Sequence, residues 1–288
     1  MSGATGPTGP NGPTGPDQEL LELARTIARE AGALVTRLRV EGVEVAATKS
    51  SPVDVVTAAD RAAEELVRRR LREARPDDAV LGEEGDDVAG TTGVRWIVDP
   101  IDGTVNYLYG LPHWSVSLAA ERDGVVVAGV VHCPPLEEEY AAVLGGGATC
   151  RDRRGERPLG ERSGPPLERS LVATGFSYEE RRRAEQAAAV ARMLPRVRDV
   201  RRLGSCALDL CGVAAGTLDA HVEAGPQLWD HAAGTLVARE AGVRVEIWTT
   251  TAGRDLVVAA PQDAFEDFAA LVEGCGFADE APEDPAAT

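Results

Sequence analysis

Five acidic side chains stand where the chain changes direction: Asp60, Glu83, Asp99, Asp102 and Asp230. Two of them share one short stretch, "WIVDPIDGTVNY", from Trp96 to Tyr107. There an apolar run, Trp96-Ile97-Val98, stops at Asp99. Pro100 fixes the backbone, and Asp102, Gly103 and Thr104 follow. Gly103 permits a sharp turn or the close approach of a ligand. Each acid also has an ordinary reading. Asp99 and Asp102 suit a turn with Asx-type hydrogen bonds. Glu83-Glu84 in "VLGEEG" suit a solvated strand end. Asp60 stands three residues after Thr57, the partner position of a capping box. Asp230 opens an expected helix, where a carboxylate complements the helix dipole or caps it.

The set carries more than its members. Loop positions at element ends are where sites are commonly built. If the fold gathers these acids, like charges a few ångströms apart cannot all stay ionised unassisted. A hard divalent cation resolves the conflict, and carboxylates with carbonyl oxygens select Mg2+ over zinc. Mg2+ held by acids serves phosphoryl chemistry. The spacing D-x-x-D-G-T is neither the D-x-D-x-T of aspartyl-phosphate phosphatases nor an EF-hand loop, whose acids alternate.

Composition narrows the field. The 288 residues include 47 Asp+Glu against 30 Lys+Arg, a net charge of −17. That balance argues against phosphate-contact binding of nucleic acid. The short arginine clusters at 68–70, 181–183 and 201–202 read as solvated faces. No apolar run has the length of a membrane span, and no signal pattern opens the chain. Cys133, Cys150, Cys206, Cys211 and Cys275 form no C-x-x-C pair, and His113, His132, His221 and His231 show no H-E-x-x-H spacing. Zinc and a disulfide framework are therefore not expected, and reduced thiols suit a cytoplasmic protein.

Elements must position the acids. Residues 1–17 repeat Gly every third position with Pro interleaved, a collagen-like tail too short for a triple helix alone and read as disordered. The acidic, Pro/Ala-rich end, 279–288, reads likewise. A helix is expected from Asp17 as N-cap through Leu38, and another over 58–73 capped by Thr57. Strands are expected at 79–81, 95–98, 115–120 and 125–132, the last two a hairpin across Gly124, with 138–143 extending the sheet. The polar stretch after Gly145-Gly146-Gly147 suggests a boundary. The expected division is 18–150, an α+β half carrying the metal ligands, and 151–278, an α/β half carrying substrate contacts. The second half alternates strands near 170–174, 218–223 and 255–260 with helices at 179–193, 205–215, 230–241 and 262–273.

Several motifs in order, "KSSPVDVVTAAD" (49–60), "GEE" (82–84), "WIVDPIDGTVNYLYGLPHWSVSLA" (96–119), "GSCALDL" (204–210) and "HVEAGPQLWDHAAG" (221–234), resemble those of the inositol monophosphatase family over roughly residues 18 to 275. This family lies within the Mg2+-dependent, lithium-sensitive phosphatases. The resemblance implies a layered αβαβα sugar-phosphatase fold. It implies a first Mg2+ held by Glu83, Asp99 and the Ile101 carbonyl, and a second held by Asp99, Asp102 and Asp230, with a third, weaker ion near Glu83 in some members. Thr104, hydrogen-bonded by Asp60, would orient the attacking water beside Glu83. Asp102 would also face the substrate, and Gly103 and Thr104 would offer amides to the phosphate. Gly204, Ser205, Cys206 and Glu223 would contact the rest of it. Lys49 would contribute electrostatically from a loop over the site, whereas Trp229 reads as packing. The stretch Pro226-Gln227-Leu228 departs from the family pattern, which bears on specificity.

The implied reaction is hydrolysis of a polyol or sugar monophosphate by a metal-activated water, myo-inositol 1-phosphate being the first candidate. Histidinol phosphate and fructose 1,6-bisphosphate are alternatives on the same scaffold. A non-catalytic binding role beside the transcription machinery is a third. The resemblance further implies a homodimer, and no nucleic-acid or membrane partner is expected.

Overall fold

The structure, a computed structural model, describes residues 15–42, 45–48 and 55–279. Of the expected tails (1–17 and 279–288), residues 1–14 and 280–288 lie outside the described residues, as does Lys49, while Pro16 and Asp17 are helical rather than disordered. Helix α1 (Pro16–Glu41) starts from Gly15 as N-cap, two residues earlier than Asp17 would set it. Pro16 explains the difference. Its fixed φ suits the first helical position, where the missing N–H costs nothing. Asp17 instead pairs with Arg122.

After the small antiparallel pair β1 (Val45–Thr48) and β2 (Val55–Thr57) comes α2 (Ala58–Ala74). A seven-stranded sheet then runs in sequence order: β3 (Ala79–Gly82), β4 (Val94–Asp102), β5 (Ser115–Arg122), β6 (Val125–Cys133), β7 (Glu138–Val143), β8 (Gly147–Asp152) and β9 (Gly155–Leu159). The short α3 (Thr104–Tyr109) follows β4. The β5–β6 hairpin turns at Asp123-Gly124, both at positive φ (50° and 83°), as a two-residue turn that matches strand twist requires. The sheet continues past residue 150, where a boundary was expected. The polar residues there form the exposed edge strand β9, whose charge and Pro158 discourage further pairing.

The remaining elements are β10 (Leu171–Thr174), α4 (Glu180–Met193), β11 (Asp199–Arg201), α5 (Cys206–Ala215), β12 (Ala220–Ala224), α6 (Leu228–Glu240), β13 (Val243–Thr249), β14 (Asp255–Pro261) and α7 (Phe265–Cys275). They build a five-stranded sheet in the order β11-β10-β12-β14-β13, parallel at β11-β10-β12 and antiparallel beyond.

Strand alternation sorts the cores. Trp96, Val98 and Leu118 face α1 and α2, where they meet Leu20, Ala24, Ile27 and Val67. Ile97, Ala119 and Val131 face the other way, onto α5 and α6. Ala173, Val257 and Ala259 of the second sheet reach that same middle layer. Its far face, with Val222 and Val258, packs on α4 and α7. The result is the layered α/β/α/β/α arrangement expected. Residues 206–214 of α5 are all buried, because sheets cover both sides of the helix. Trp96 is fully buried with its indole N–H donating to Asp78 (3.0 Å), and Asp78 also accepts from Thr92 (2.6 Å) and Arg75 (2.8 Å).

One buried acid ties α2 to the end of β3. Glu64 accepts the Glu84 amide (2.7 Å) and pairs with Arg68 (2.7 Å), so Arg68 is not part of a solvated face. A Cβ at Gly82 would collide with this carboxylate. Glu64→Ala should therefore cost about 2–3 kcal/mol, by leaving a buried guanidinium and an amide unpaired. A urea-unfolding midpoint that drops at unchanged m-value checks this.

Candidate active site

The two aspartates of β4 would lie on opposite faces of a regular strand, because 99 and 102 differ by an odd number. The pairing with β5 shows how they come together. Asp99 opposes Ser117 and Asp102 opposes Ser115, so three steps on β4 match two on β5. This bulge inserts one residue and restores both aspartates to one face. Pro100 sits where the ladder is interrupted and its missing N–H does no harm. The Ile101 amide donates to Asp99 Oδ1 (3.0 Å), closing the turn. The parallel neighbour β3 pairs Gly82 with Val98 and so delivers Glu83 beside Asp99.

Asp60 and Asp230 are both third residues of helices, and each gives one oxygen to the start of its helix. At α2, the Thr57 amide (2.8 Å) and hydroxyl (2.5 Å) donate to Asp60 Oδ2 in a capping box. The other oxygen, Oδ1, accepts from Thr104 Oγ1 (3.1 Å). At α6 the N-cap is Gln227, not Asp230. Its amide donates to Asp230 Oδ2 (2.6 Å) while Asp230 lines the cleft.

Gly103 has φ 98°, and a Cβ there would stand 2.8 Å from the His113 carbonyl and 3.0 Å from that of Gly204. The 103–104 turn is thus pressed against the 203–206 loop. Asn106, whose type carried no signal in the sequence, joins them: its amide donates to the carbonyls of His113 (2.6 Å) and Leu203 (2.7 Å). Tyr107 anchors the same short helix to α1 through the Val35 carbonyl (3.0 Å) and stacks edge-on against Trp114. Across the junction, Ser205 caps α5 and donates to Asp102 Oδ2 (2.5 Å), which also accepts the Ala207 amide (2.8 Å). The Ser205 hydroxyl is thereby committed inside the protein, and it holds Asp102 in place.

These residues enclose a cavity of about 340 Å³. Glu83, Asp99, Ile101, Asp102 and Asp230 lie on one side, with Gly103 and Thr104 between them and the 204–206 loop. Glu223 faces them from β12, over Gly175, where any side chain would collide with it. Three helices, α3, α5 and α6, begin on the cavity wall. Arg182 and Arg202 also line it; the half-buried Arg182 leaves the solvated-face reading made for its cluster, while Arg202 stays exposed. Trp229 both lines the cavity and packs into the middle layer.

Electrostatics follow from this gathering. Burial, then the Glu83, Asp102 and Asp230 carboxylates and a hydrogen bond with Glu83, push Asp99 well above the carboxylate range. Asp230 is pushed the same way by burial, Asp102 and Glu83. Burial raises Asp102 to about 7, against the lowering by Ser205 and Ala207. Asp60 is raised to about 6, again by burial first. Glu223 rises through burial, with Arg202 opposing. The donor set at Glu83, Asp99, Ile101, Asp102 and Asp230 is all oxygen, and its carboxyls repel one another, which fits a hard divalent cation.

No described helix is long and apolar enough to cross a membrane. The profile of the inositol monophosphatase family matches residues 17–276. The inositol-1-monophosphatase SuhB of Mycobacterium tuberculosis is 45% identical over 269 residues, which cover 88% of this chain and 93% of that protein. The solved structure of Mycobacterium tuberculosis SuhB superposes with a TM-score of 0.77 at 42% identity, covering 90% of this chain and 97% of that one. A Pasteurella multocida relative named Nus factor SuhB is 37% identical over 225 residues, or 77% of this chain and 83% of its own length. With its layers, its motifs and nearly its whole length in common with these proteins, the chain belongs to the inositol monophosphatase family of phosphatases.

Proposed function

We propose that this enzyme hydrolyses the phosphate monoester of a small polyol or sugar, with myo-inositol 1-phosphate as the leading substrate. The observation that carries the reading is the gathering of four carboxylates, Glu83, Asp99, Asp102 and Asp230, in one cavity shared with the first turn of α3. Mg2+ suits Glu83, Asp99 and the Ile101 carbonyl at one position, and Asp99, Asp102 and Asp230 at a second. When bound it supplies charge neutralisation and a more acidic water.

The chain's own groups do the rest. Thr104 Oγ1 has one proton and two nearby acceptors, Asp60 Oδ1 and the Ile101 carbonyl (3.0 Å). With that proton directed inward, its lone pairs can accept from a water in the cavity. Glu83 lies on the same wall, suited to take the proton this water loses on attacking phosphorus. The ester P–O bond breaks, and the leaving alkoxide is protonated to the alcohol. The first amides of α3 have no acceptor within the helix and suit the phosphate oxygens. Glu223 suits the hydroxyls of a polyol. A carboxylate also suits the ammonium of histidinol phosphate, so Glu223→Gln should raise KM for a polyol phosphate and abolish any preference for the aminated substrate. A phosphate-release panel with inositol 1-phosphate, histidinol phosphate and fructose 1,6-bisphosphate reads both.

A second reading, action beside the transcription machinery, is favoured by the name of the Pasteurella relative. Asp99→Asn separates the two. Hydrolysis should fall about 10²–10³-fold, the scale of losing one electrostatic catalytic group, without loss of thermal stability in metal-free buffer. A cellular role that survives this change belongs to the second reading.

Metal-free protein should also show the cost of the gathered acids. Asp60 and Asp102 fold with pKa values raised from 3.8 to about 6 and about 7. Their contribution is fully present below about pH 4 and is lost as pH rises through 6 and 7, on the order of 3 kcal/mol for Asp60 and about 4 kcal/mol for Asp102. Melting curves of metal-free wild type should fall across this window more steeply than those of Asp102→Asn. Mg2+ at neutral pH should restore the difference by binding only the folded chain. A melting temperature indifferent to both pH and Mg2+ would overturn the proposed ion site.

A further inference from the structure

Zinc was not expected from the sequence, because it holds no C-x-x-C pair and no H-E-x-x-H. The fold supplies what spacing does not. On β12, His221 and Glu223 are two residues apart and share the face turned to the middle layer, while Ala220, Val222 and Ala224 pack into the outer core. Cys206 is the first residue of α5 and Asp209 lies one turn on, so both meet that face.

Cys206 Sγ stands 3.7 Å from His221 Nε2, which stands 3.7 Å from Glu223 Oε2, and the three ligand atoms lie within 4.8 Å of one another. A tetrahedral zinc with bonds of about 2.3 Å to sulfur and about 2.0 Å to nitrogen or oxygen needs donor separations of roughly 3.3–3.6 Å. Small side-chain shifts close that gap. His221 is fully buried, and Asp209 Oδ2 is 3.8 Å from its Nδ1. Among the described residues, His221 Nδ1 and Asp209 Oδ1 are buried with no hydrogen-bond partner. This is the arrangement of a metal-bound histidine whose far nitrogen is steered by a carboxylate, with the steering contact not yet closed. Cys206 and Glu223 line the cavity, which gives an ion an entry path and an open fourth position.

We infer that Cys206, His221 and Glu223 form a thiophilic metal subsite for Zn2+ or Cd2+, distinct from the all-oxygen set at Asp99 and opposite it in the same cavity. Binding releases the Cys206 thiol proton to solvent and leaves a thiolate, a neutral imidazole and a carboxylate around the ion. It also withdraws Glu223 from any substrate. Under the proposed phosphatase reading, thiophilic ions therefore inhibit by a route that excess Mg2+ does not reverse.

The test is a Cd2+ titration of the full chain in saturating Mg2+, followed by thiolate-to-metal ultraviolet absorption. One equivalent of absorption is expected, displaced by Zn2+. It should vanish in Cys206→Ser, weaken at least tenfold in affinity in His221→Gln, and persist in Cys211→Ser. No thiolate absorption in the wild type, or its survival in Cys206→Ser, overturns the site. Should Cys206→Ser not fold, alkylation of the wild type mapped by mass spectrometry decides the point: Zn2+ should shield Cys206, and equal labelling with and without it counts against the inference. These readouts are independent of hydrolysis, so the subsite and the phosphatase reading stand or fall separately.

Discussion

Repulsion among buried carboxylates is the constraint around which this molecule is arranged. Asp99 and Asp230 are driven well above the carboxylate range by burial and by the neighbouring Glu83 and Asp102 carboxylates, and Asp102 follows to about 7. A fold selected for stability alone would separate these groups or replace them with apolar side chains. Here five layers of secondary structure, a bulge and two capping boxes cooperate to bring them together. The cost is spread over a large, well-sorted core, in which both faces of each sheet are covered.

The local devices are economical in residues. Asp60 and Asp230 each give one oxygen to the start of a helix and remain part of the site. Asp102 is held by Ser205 and the Ala207 amide, so the start of α5 is fixed to the end of β4 across the middle layer. Asn106 performs the same service from α3. Rigid elements rather than mobile loops therefore set the relative positions of the acids in the described part of the chain, and precision of placement follows from that.

Much of this was legible in the sequence, for identifiable reasons. The helix of 58–74 and its Thr57 cap, the β5–β6 hairpin and the strand 138–143 all carry local signals, either side-chain periodicity or a turn residue. The acids were legible as a set because each ends an element. What local patterns cannot carry was missed. The register shift that turns Asp102 to the face of Asp99 depends on β5, nearly twenty residues away in sequence. Glu64, Asn106, Arg182 and Arg202 gain their roles from contacts across the fold, and their types and spacing resemble those of any helix surface. Ser205 lines the cavity, and its bond to Asp102 joins residues a hundred positions apart, which no local spacing reveals. The strand β13 had no counterpart among the expected elements, although Val243, Val245 and Ile247 alternate. The edge strand β9 reads in sequence as a polar boundary, because an edge strand exposes its side chains.

The three helices that begin on the cavity wall have a consequence for its charge. Each helix start presents roughly half a positive charge. Together they offset part of the repulsion that drives Asp99, Asp230 and Asp102 towards their neutral forms. A divalent cation bound among the aspartates would release those protons, and the helix starts would then add their pull on a phosphate to the cation's own. Proton release and ester capture would thus be joined by where these helices start.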